Sequence, residues 1–280
     1  MTMTDLSSMG SRLRRPLDSL SFLGEELRFH TNALLWIPGA LRRYPRDVLR
    51  LLADVSFGSG ALAVIGGTIG VMVSMSLFTG TVVGMQGYAA LNQIGTATLN
   101  GFISAYFNTR EIAPLVASLA LSATIGAGFT AQLGAMRISE EVDALEVMAV
   151  RSMPYLVTTR IIAGFIAIIP LYVVGLLTSY LGSRLVTVYF YGQSAGTYDH
   201  YFGLFLPRID IFLSFVKVLA FSVIIIGIHC YYGYTAKGGP AGVGAAVGRA
   251  VRRSIVTVAI LDLLLSMALW GSTTTVRIAG

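Results

Sequence analysis

The chain has 280 residues, of which 55% are hydrophobic and only 12% are charged. A soluble domain carries about 25% charged residues, so this composition excludes an ordinary soluble enzyme and indicates a protein of the lipid bilayer. The formal net charge is +6, but the basic residues form no stripe interleaved with aromatic ones, so nucleic-acid binding is not expected. The single cysteine, Cys230, excludes an intrachain disulfide.

The first part of the chain is predicted to lie outside the membrane core. Residues 1–28 form a cytoplasmic tail, and no apolar run of the signal-peptide type follows their arginines, so we expect no cleaved secretory signal. Residues 29–55 mix aromatic, arginine and leucine side chains, and Pro38 and Pro45 prevent one clean spanning helix. This region is predicted to be an amphipathic helix in the inner headgroup layer; the alternative is a solvated basic linker.

The remainder, residues 56–276, is predicted to be an all-α polytopic membrane domain, because a spanning helix needs about 20 apolar residues. Five stretches qualify, namely residues 57–85, 112–136, 159–181, 209–234 and 254–275. A sixth uncharged stretch, residues 89–107, contains asparagine, glutamine and threonine and lies too close to the next span for a loop between them. It is predicted to be a re-entrant or interfacial element shielded by protein.

The basic residues orient these spans. With a cytoplasmic N-terminus, 15 of the 20 Lys and Arg residues lie on the inner side and four on the outer side. The positive-inside rule therefore predicts a cytoplasmic N-terminus and an extracytoplasmic C-terminus. Residues 182–208 then form an outer loop rich in Tyr and Phe, which is either an interfacial aromatic belt or a contact for an extracytoplasmic subunit.

The inner connector SEEVDALEVMAV, residues 139–150, contains four carboxylates within seven positions. Ser139 is predicted to be the N-cap of an amphipathic helix of about three turns. Its first turn holds Glu140 and Glu141, its acidic face also holds Asp143 and Glu146, and its apolar face holds Ala144, Leu145 and Met148. Such a helix suits a partner protein; the alternative is a solvated acidic face.

Two long stretches carry a family resemblance. The run TREIAPLVASLALSATIGAGFTAQLGAMRISEEVDALEVMAVRSMPYLVTTRIIA resembles the signature region of the MlaE/YrbE permeases, the membrane subunits of lipid-transporting ABC systems. Residues 233–266 resemble the last cytoplasmic loop and final span of that family. The resemblance implies an MlaE-like permease fold with an N-terminal interfacial helix and five transmembrane helices. Gln132 departs from it, since many members have Glu there. Arginine in place of lysine and the long outer loop suggest the YrbE permeases of actinobacterial Mce systems, possibly the B-type subunit.

The resemblance also implies a function. Residues 139–152 would be the coupling helix, which fits a groove of a cytoplasmic ABC ATPase. The permease would pair with a second permease subunit in the bacterial inner membrane. It would move lipids or other hydrophobic substrates between the membrane and extracytoplasmic Mce-type carriers, in the direction of import.

The residues themselves indicate that this chain is not an enzyme. It has no G-x-x-x-x-G-K-[ST] motif, so ATP and Mg²⁺ are expected to be bound by the partner ATPase. The three histidines are scattered and suggest neither a metal site nor a catalytic triad.

Ionisable residues within the spans are the last candidates. Lys217 and Asp262 lie deep in the fourth and fifth spans, whereas Arg110, Glu111 and Asp210 lie nearer the outer surface. An intramembrane charge costs at least ~2.5–3.5 kcal/mol, so Lys217 and Asp262 are predicted to pair. The alternatives are the binding of an anionic lipid headgroup and proton coupling.

Glycines on the first span are predicted to mark close helix packing. Gly66 and Gly70, and also Gly80 and Gly84, have the G-x-x-x-G spacing that lets two helix backbones approach. Two rival functions remain open at this point. One is a proton-coupled secondary transporter that uses Asp262 and Lys217, although no inverted repeat is visible. The other is a membrane scaffold without transport activity.

Overall fold

The computed structural model describes residues 24–57 and 65–271, which are helical and contain no strand. Five helices in these residues are long and apolar enough to cross a membrane. We name them α4 (Gly67–Gln93), α5 (Ala97–Ile138), α7 (Met153–Phe190), α9 (Arg208–Tyr234) and α10 (Gly239–Trp270). The all-α polytopic fold and the number of spans are therefore confirmed.

Three short helices precede the spans, where one amphipathic helix was predicted. They are α1 (residues 24–35), α2 (Ile37–Arg43) and α3 (Pro45–Phe57). Pro38 and Pro45 lie in the first turns of α2 and α3, where the missing N–H is harmless and the fixed φ suits a helix start. The prolines thus divide the region into helices that are too short to span a bilayer.

The short helices pack against the first part of α7. Thr158 Oγ1 on α7 donates a hydrogen bond of 2.9 Å to the carbonyl of Ala33. The ring of Tyr44 lies 5.1 Å from that of Tyr155, and α3 runs along α7. These contacts fix the three short helices, α1, α2 and α3, to the membrane domain as one packed layer.

The first span differs from its predicted limits. Residues 58–64 lie outside the described residues, and α4 continues to Gln93 before a turn at Gly95, whose φ of 73° suits glycine. The predicted re-entrant element at residues 89–107 is wrong, because its first part completes α4 and its second part begins α5. Of the polar residues that indicated a break, Asn100 is buried inside the bundle, whereas Asn92, Gln93 and Thr98 are exposed near the turn.

Asn100 shows how α5 accommodates this polarity. Its Nδ2 donates to the carbonyl of Gly84 at 2.9 Å and to Thr187 Oγ1 at 2.7 Å, so the amide bridges α4 and α7.

With 42 residues, α5 is about 63 Å long at 1.5 Å per residue. That is roughly twice the ~30 Å hydrocarbon core, so α5 extends beyond the bilayer.

The outer loop predicted at residues 182–208 is mostly helical. α7 continues to Phe190, and a short helix α8 (Ala195–Leu204) follows. Two hydrogen bonds of 2.8 Å join Arg184 to Asp199 and fix α8 to α7. α8 also packs on the first part of α5, so most of the predicted loop belongs to the rigid bundle.

Close packing at two of the predicted glycines is confirmed. A Cβ on Gly80 would lie 2.1 Å from the carbonyl oxygen of Ser179, and one on Gly84 would lie 2.9 Å from that of Ser183. Only glycine allows α4 and α7 to approach so closely. Gly70 begins the α-helical part of α4 and is half-buried, and of Gly66 only the backbone conformation is described.

α10 begins at Gly239 rather than at residue 254, so it is longer than the predicted span at the end next to α9. Gly238, with a φ of 90°, forms the turn between α9 and α10. α9 lies at the centre of the bundle and contacts α5, α7 and α10. Its buried side chains include those of Phe221, Ile225 and Ile226.

Candidate functional site

Arg110 and Glu111 lie in a π-helical turn of α5, Asn108–Ile112, which widens the helix. Pro114 follows, and it lacks the N–H that would bond to the carbonyl four residues earlier. That carbonyl belongs to Arg110, and it accepts a hydrogen bond of 2.9 Å from Lys217 Nζ. Pro114 thus leaves a backbone acceptor that a lysine from α9 satisfies.

Lys217 is fully buried and has several anionic and polar partners. Its Nζ lies 2.6 Å from Asp262 Oδ1, so the structure brings the predicted pair together. The same ammonium donates to Glu111 Oε2 at 3.0 Å and to Ser266 Oγ at 2.7 Å. Sequence reasoning missed both additional partners, because Glu111 was expected nearer the outer surface and Ser266 carries no charge.

Arg110 and Asp210, which are predicted to lie nearer the outer membrane surface, are both buried among neighbouring side chains. Arg110 Nη2 lies 2.6 Å from Asp210 Oδ2, and Trp270 Nε1 donates to Asp210 Oδ1 at 3.0 Å. The guanidinium carbon of Arg110 is also 4.2 Å from the centre of the Tyr106 ring. Lys217 Nζ lies 5.7 Å from the centre of the Trp270 ring. Trp270 therefore connects the Arg110–Asp210 pair to the Lys217–Asp262 pair.

We call these five residues the charge cluster: Arg110, Glu111, Asp210, Lys217 and Asp262. It contains two cations and three carboxylates, and it links α5, α9 and α10. Lys217 lies nine residues after the start of α9, which is about 13 Å along the helix axis. At that depth each charge needs a partner, and every member of the cluster has one. The arrangement can hold the three helices together, and only Glu111 is partly exposed, at 31% of its side chain.

A second buried polar group escaped the sequence analysis. His229 on α9 lies within hydrogen-bonding distance of Ser122 Oγ (3.0 Å) and Thr130 Oγ1 (2.8 Å), both on α5. Ser122 Oγ is also 2.7 Å from Ser254 Oγ on α10. A Cβ on Gly126 would lie 2.6 Å from the imidazole, so glycine makes room for the ring. Nothing in the spacing of the histidine along the chain indicated these partners.

The inner connector forms a shorter helix than predicted, α6 (Glu141–Val147). Ser139 is not its N-cap: the Ser139 hydroxyl donates to the carbonyl of Ala135 at 3.0 Å and so closes the end of α5. Glu140 precedes α6 with a φ of 62°, which sharply reverses the chain. The prediction failed because α5 extends to Ile138 and therefore uses the capping residue at its own end.

The apolar side chains of α6 divide differently from the prediction. Val142 is buried, and Leu145 is half-buried against the main core, so these two offer less apolar surface to a partner than was predicted. Val147 and Met148 are 89% and 65% exposed. We call Val147 and Met148 the apolar tip. Of the predicted apolar face, Ala144 and Met148 are exposed and Leu145 is half-buried, and the exposed Val147 was not part of the prediction.

The acidic side chains of α6 are held by residues around them. Arg137 Nη1 lies 2.6 Å from Asp143 Oδ1, and Ser152 Oγ donates to Glu146 Oε1 at 2.6 Å. The Ser139 hydroxyl also lies 2.9 Å from Glu141 Oε1. These short bonds fix α6 between the end of α5 and the start of α7. A displacement of α6 would therefore act directly on both helices.

The comparisons with known proteins agree with this architecture. A family profile described as Permease MlaE matches residues 57–268. A "Probable ABC transporter permease protein" of Rickettsia bellii is 32% identical over 196 residues, 70% of this chain and 76% of the relative. The "Intermembrane phospholipid transport system permease protein MlaE" of Haemophilus influenzae is 28% identical over 72% of this chain and 78% of the relative. "Protein TRIGALACTOSYLDIACYLGLYCEROL 1, chloroplastic" of Arabidopsis thaliana is 31% identical over 71% of this chain and 57% of its own length.

Proposed function

The chain belongs to the MlaE permease family, and from that premise we propose that it is the membrane subunit of an ATP-driven lipid transporter. The observation that carries the proposal is α6, a helix with an exposed apolar tip fixed between two spans. The names of the relatives support it: one is an ABC transporter permease and another belongs to an intermembrane phospholipid transport system. Phospholipids, or hydrophobic molecules of similar size, are therefore the proposed substrates.

α6 would be the coupling helix of this transporter. Burial of Val147 and Met148 in a groove of the ATPase would contribute roughly 1.5–3 kcal/mol each. Beside α6 lies a cleft of about 560 Å³, lined in part by Trp36 and Arg151, which offers the partner further contact. ATP and Mg²⁺ would bind to the ATPase, since this chain lacks a phosphate-binding loop motif.

The charge cluster would make the outer halves of three spans move together. α5 connects the charge cluster to α6, because it carries Arg110 and Glu111 near its outer part and is followed by α6 at its inner end. Lys217 and Asp262 extend the same contact to α9 and α10. A movement of α6 would thus reach the outer half of the bundle through one long helix. The role of the cluster would be structural, with the partly exposed Glu111 the member that faces outward.

Further subunits would meet the permease at its exposed apolar surfaces. Phe78 and Val82 on α4, and Leu263 on α10, are exposed and suit lipid or a second permease subunit. Tyr189 and Phe190 are exposed at the outer end of α7, where an extracytoplasmic lipid carrier would bind. We propose import as the direction of transport and Mce-type proteins as the carriers.

The finer assignment to actinobacterial Mce permeases gains no support from the relatives described above, which come from Rickettsia, Haemophilus and Arabidopsis. Its structural argument is also weaker, since the outer segment is mostly helical and not a long loop. The B-type assignment therefore rests only on the preference for arginine over lysine.

We propose the inner (plasma) membrane of a bacterium as the location, with the N-terminus and α6 in the cytoplasm. Cysteine labelling tests this orientation after Cys230 has been replaced by alanine. Ser139→Cys should resist a membrane-impermeant thiol reagent in intact cells, and Gly196→Cys on α8 should react. Both positions are exposed in the structure, so access depends on the side of the membrane. Labelling of Ser139→Cys from outside would contradict the proposal.

The coupling role is tested by a double substitution of the apolar tip. Val147→Asp with Met148→Asp should abolish copurification of the ATPase and lipid-stimulated ATP hydrolysis, while the permease stays inserted. Tyr189→Asp with Phe190→Asp is the matched control, because it places the same charges on equally exposed apolar side chains at the outer end. The control should keep the ATPase bound. Normal copurification and turnover in the Val147/Met148 variant would show that α6 is only a solvated surface helix.

A further inference from the structure

A buried arginine on the inner side of α7 lacks a carboxylate partner. Arg160 is only 6% exposed, and its Nη1 donates to the carbonyl of Leu156 at 2.8 Å. Its Nη2 lies 3.4 Å from Gln132 Oε1, which is long for a bond to a charged donor. Its Nε has no hydrogen-bond partner among residues 24–57 and 65–271, and no carboxylate of those residues lies within 4.0 Å. Buried charges are normally paired, so this guanidinium suits an external anion.

Arg160 lines a cleft of about 570 Å³, a size typical of small-molecule sites. We call it the inner cleft; one wall comes from α5 and α7, and the other from α3. The α3 wall contributes Asp47, Arg50 and Asp54. Residues three, four and seven apart lie on one face of a helix, so these three charges point to the same side of α3. The inner cleft therefore places the buried cation Arg160 opposite two carboxylates, with the cation Arg50 between them on α3.

This pattern selects the charge distribution of the ligand. A simple anion would bind Arg160 but meet the carboxylates of Asp47 and Asp54, and a simple cation would meet Arg160. A zwitterion can contact both walls, with its phosphate at Arg160 and its ammonium group at Asp47 and Asp54. Guanidinium groups bind phosphate oxygens through paired hydrogen bonds, and a primary ammonium has three N–H donors for carboxylates.

We propose that the inner cleft binds the headgroup of a phospholipid that carries a phosphate and a primary ammonium, such as phosphatidylethanolamine. α3 has exposed apolar side chains, among them Leu49, beside its charged ones, as a helix in the headgroup layer requires. The inference rests on the inner-side placement proposed above, but it needs neither transport nor an ATPase. It assigns to this chain a lipid site at the inner leaflet, separate from the charge cluster.

Native mass spectrometry of the detergent-solubilised full-length chain can measure the affinity for short-chain lipids. Phosphatidylethanolamine should bind roughly tenfold more tightly than phosphatidylcholine, whose trimethylammonium group cannot donate hydrogen bonds, and than phosphatidylglycerol, which has no ammonium. Inorganic phosphate, added at the concentration of the lipid, should not displace it. Displacement by phosphate would show a simple anion site and overturn the proposal.

Gln132→Glu provides the sharpest variant, because it places a carboxylate next to the guanidinium without removing Arg160 or changing the size of the side chain. The new carboxylate should compete with the phosphate and weaken phosphatidylethanolamine binding roughly tenfold. Ala131→Glu is the matched control: it adds the same charge at an exposed neighbouring position that does not line the inner cleft, and it should bind like the original protein. Unchanged binding in the Gln132→Glu variant would refute the site.

Asp47→Asn with Asp54→Asn tests the other wall. This variant should lose the preference for phosphatidylethanolamine over phosphatidylglycerol, since only the ammonium contact is removed. ATPase copurification should stay normal in all these variants. A Gln132→Glu protein that loses the ATPase but keeps the lipid would show that the inner cleft binds a partner protein and would overturn the inference. Failure of the apolar-tip experiment with intact lipid selectivity would reject the proposed coupling alone.

Discussion

The charge cluster and α6 use the same kinds of side chain in opposite surroundings. In the charge cluster, Lys217 is fully buried and contacts two carboxylates, a hydroxyl and a backbone carbonyl. On α6, Asp143 and Arg137 form one ion pair that is largely open to solvent. A buried charge that loses its partner destabilises the fold strongly, whereas an exposed pair contributes about 0–1 kcal/mol. The cluster should therefore govern stability, and α6 should govern association with partners.

The largest expected effect comes from Lys217→Met. It leaves the carboxylates of Asp262 and Glu111 without their cation, which should lower the free energy of unfolding by roughly 3–5 kcal/mol. A titration with a denaturing detergent measures this quantity. Adding Asp262→Leu to the same chain should recover a large part of the loss. If the double variant is no more stable than the less stable single one, the two residues have separate roles.

A smaller loss is expected for Trp270→Phe. This change removes the indole N–H that donates to Asp210 and leaves a buried carboxylate oxygen without one donor. The expected cost is about 1–3 kcal/mol in the same titration. Trp36→Phe is the control, since this half-buried side chain lies on the inner side away from the cluster. Equal losses in both variants would show that indole packing, and not the bond to Asp210, is responsible.

Charge reversal on α6 sharpens the other half of the comparison. Glu140→Lys with Asp143→Lys should change the free energy of unfolding by less than about 1 kcal/mol, because both side chains are exposed. The same variant should bind the ATPase more weakly, and the defect should depend on the salt concentration in a pull-down assay. A salt-independent defect would instead indicate that α6 has lost its shape.

The Arg184–Asp199 pair should show the smallest effect. The Arg184 guanidinium donates two hydrogen bonds to Asp199 and lowers the pKa of that carboxyl below its usual value. Stabilisation by this pair is therefore present above the ordinary pKa of aspartate and is lost as the pH falls through the lowered pKa. The pair is exposed, so Asp199→Asn should cost at most about 1 kcal/mol near neutral pH and less in acid. Thermal unfolding followed across that pH range measures the difference.

The sequence predicted the spans and the charged residues well because both depend on local hydropathy. Lys217 and Asp262 could be recognised as partners since few charges occur within the spans. Gly80 and Gly84 were found because their spacing places them on one helix face. Each of these features can be recognised within one helix, even where the contact joins two helices, as it does for Lys217 and Asp262.

The incorrect predictions concern contacts between distant segments. Residues 89–107 suggested a break because of their polarity, but Asn100 finds its acceptors on α4 and α7. Ser139 could cap either of two helices, and only the length of α5 decides which one. His229 and its serine partners come from three different helices. Hydropathy and spacing contain no information about such partners.

The two π-helical turns of α5 have a consequence for insertions and deletions. Such a turn contains one residue more than an α-helical turn, so a one-residue deletion there can restore a regular helix. The turn absorbs its extra residue, so the deletion should leave the helix on both sides in nearly the same rotational phase, whereas a deletion in the regular part of α5 would rotate everything beyond it by about 100°. Removal of Ala123 from the turn Ser122–Gly126 should therefore keep α6 and the apolar tip in place relative to the charge cluster. Disulfide cross-linking between cysteines placed at the end of α5 and the start of α10 would detect a rotation, and changed cross-linking would contradict this expectation. At these turns α5 can thus lose a residue during evolution while both of its ends keep their partners.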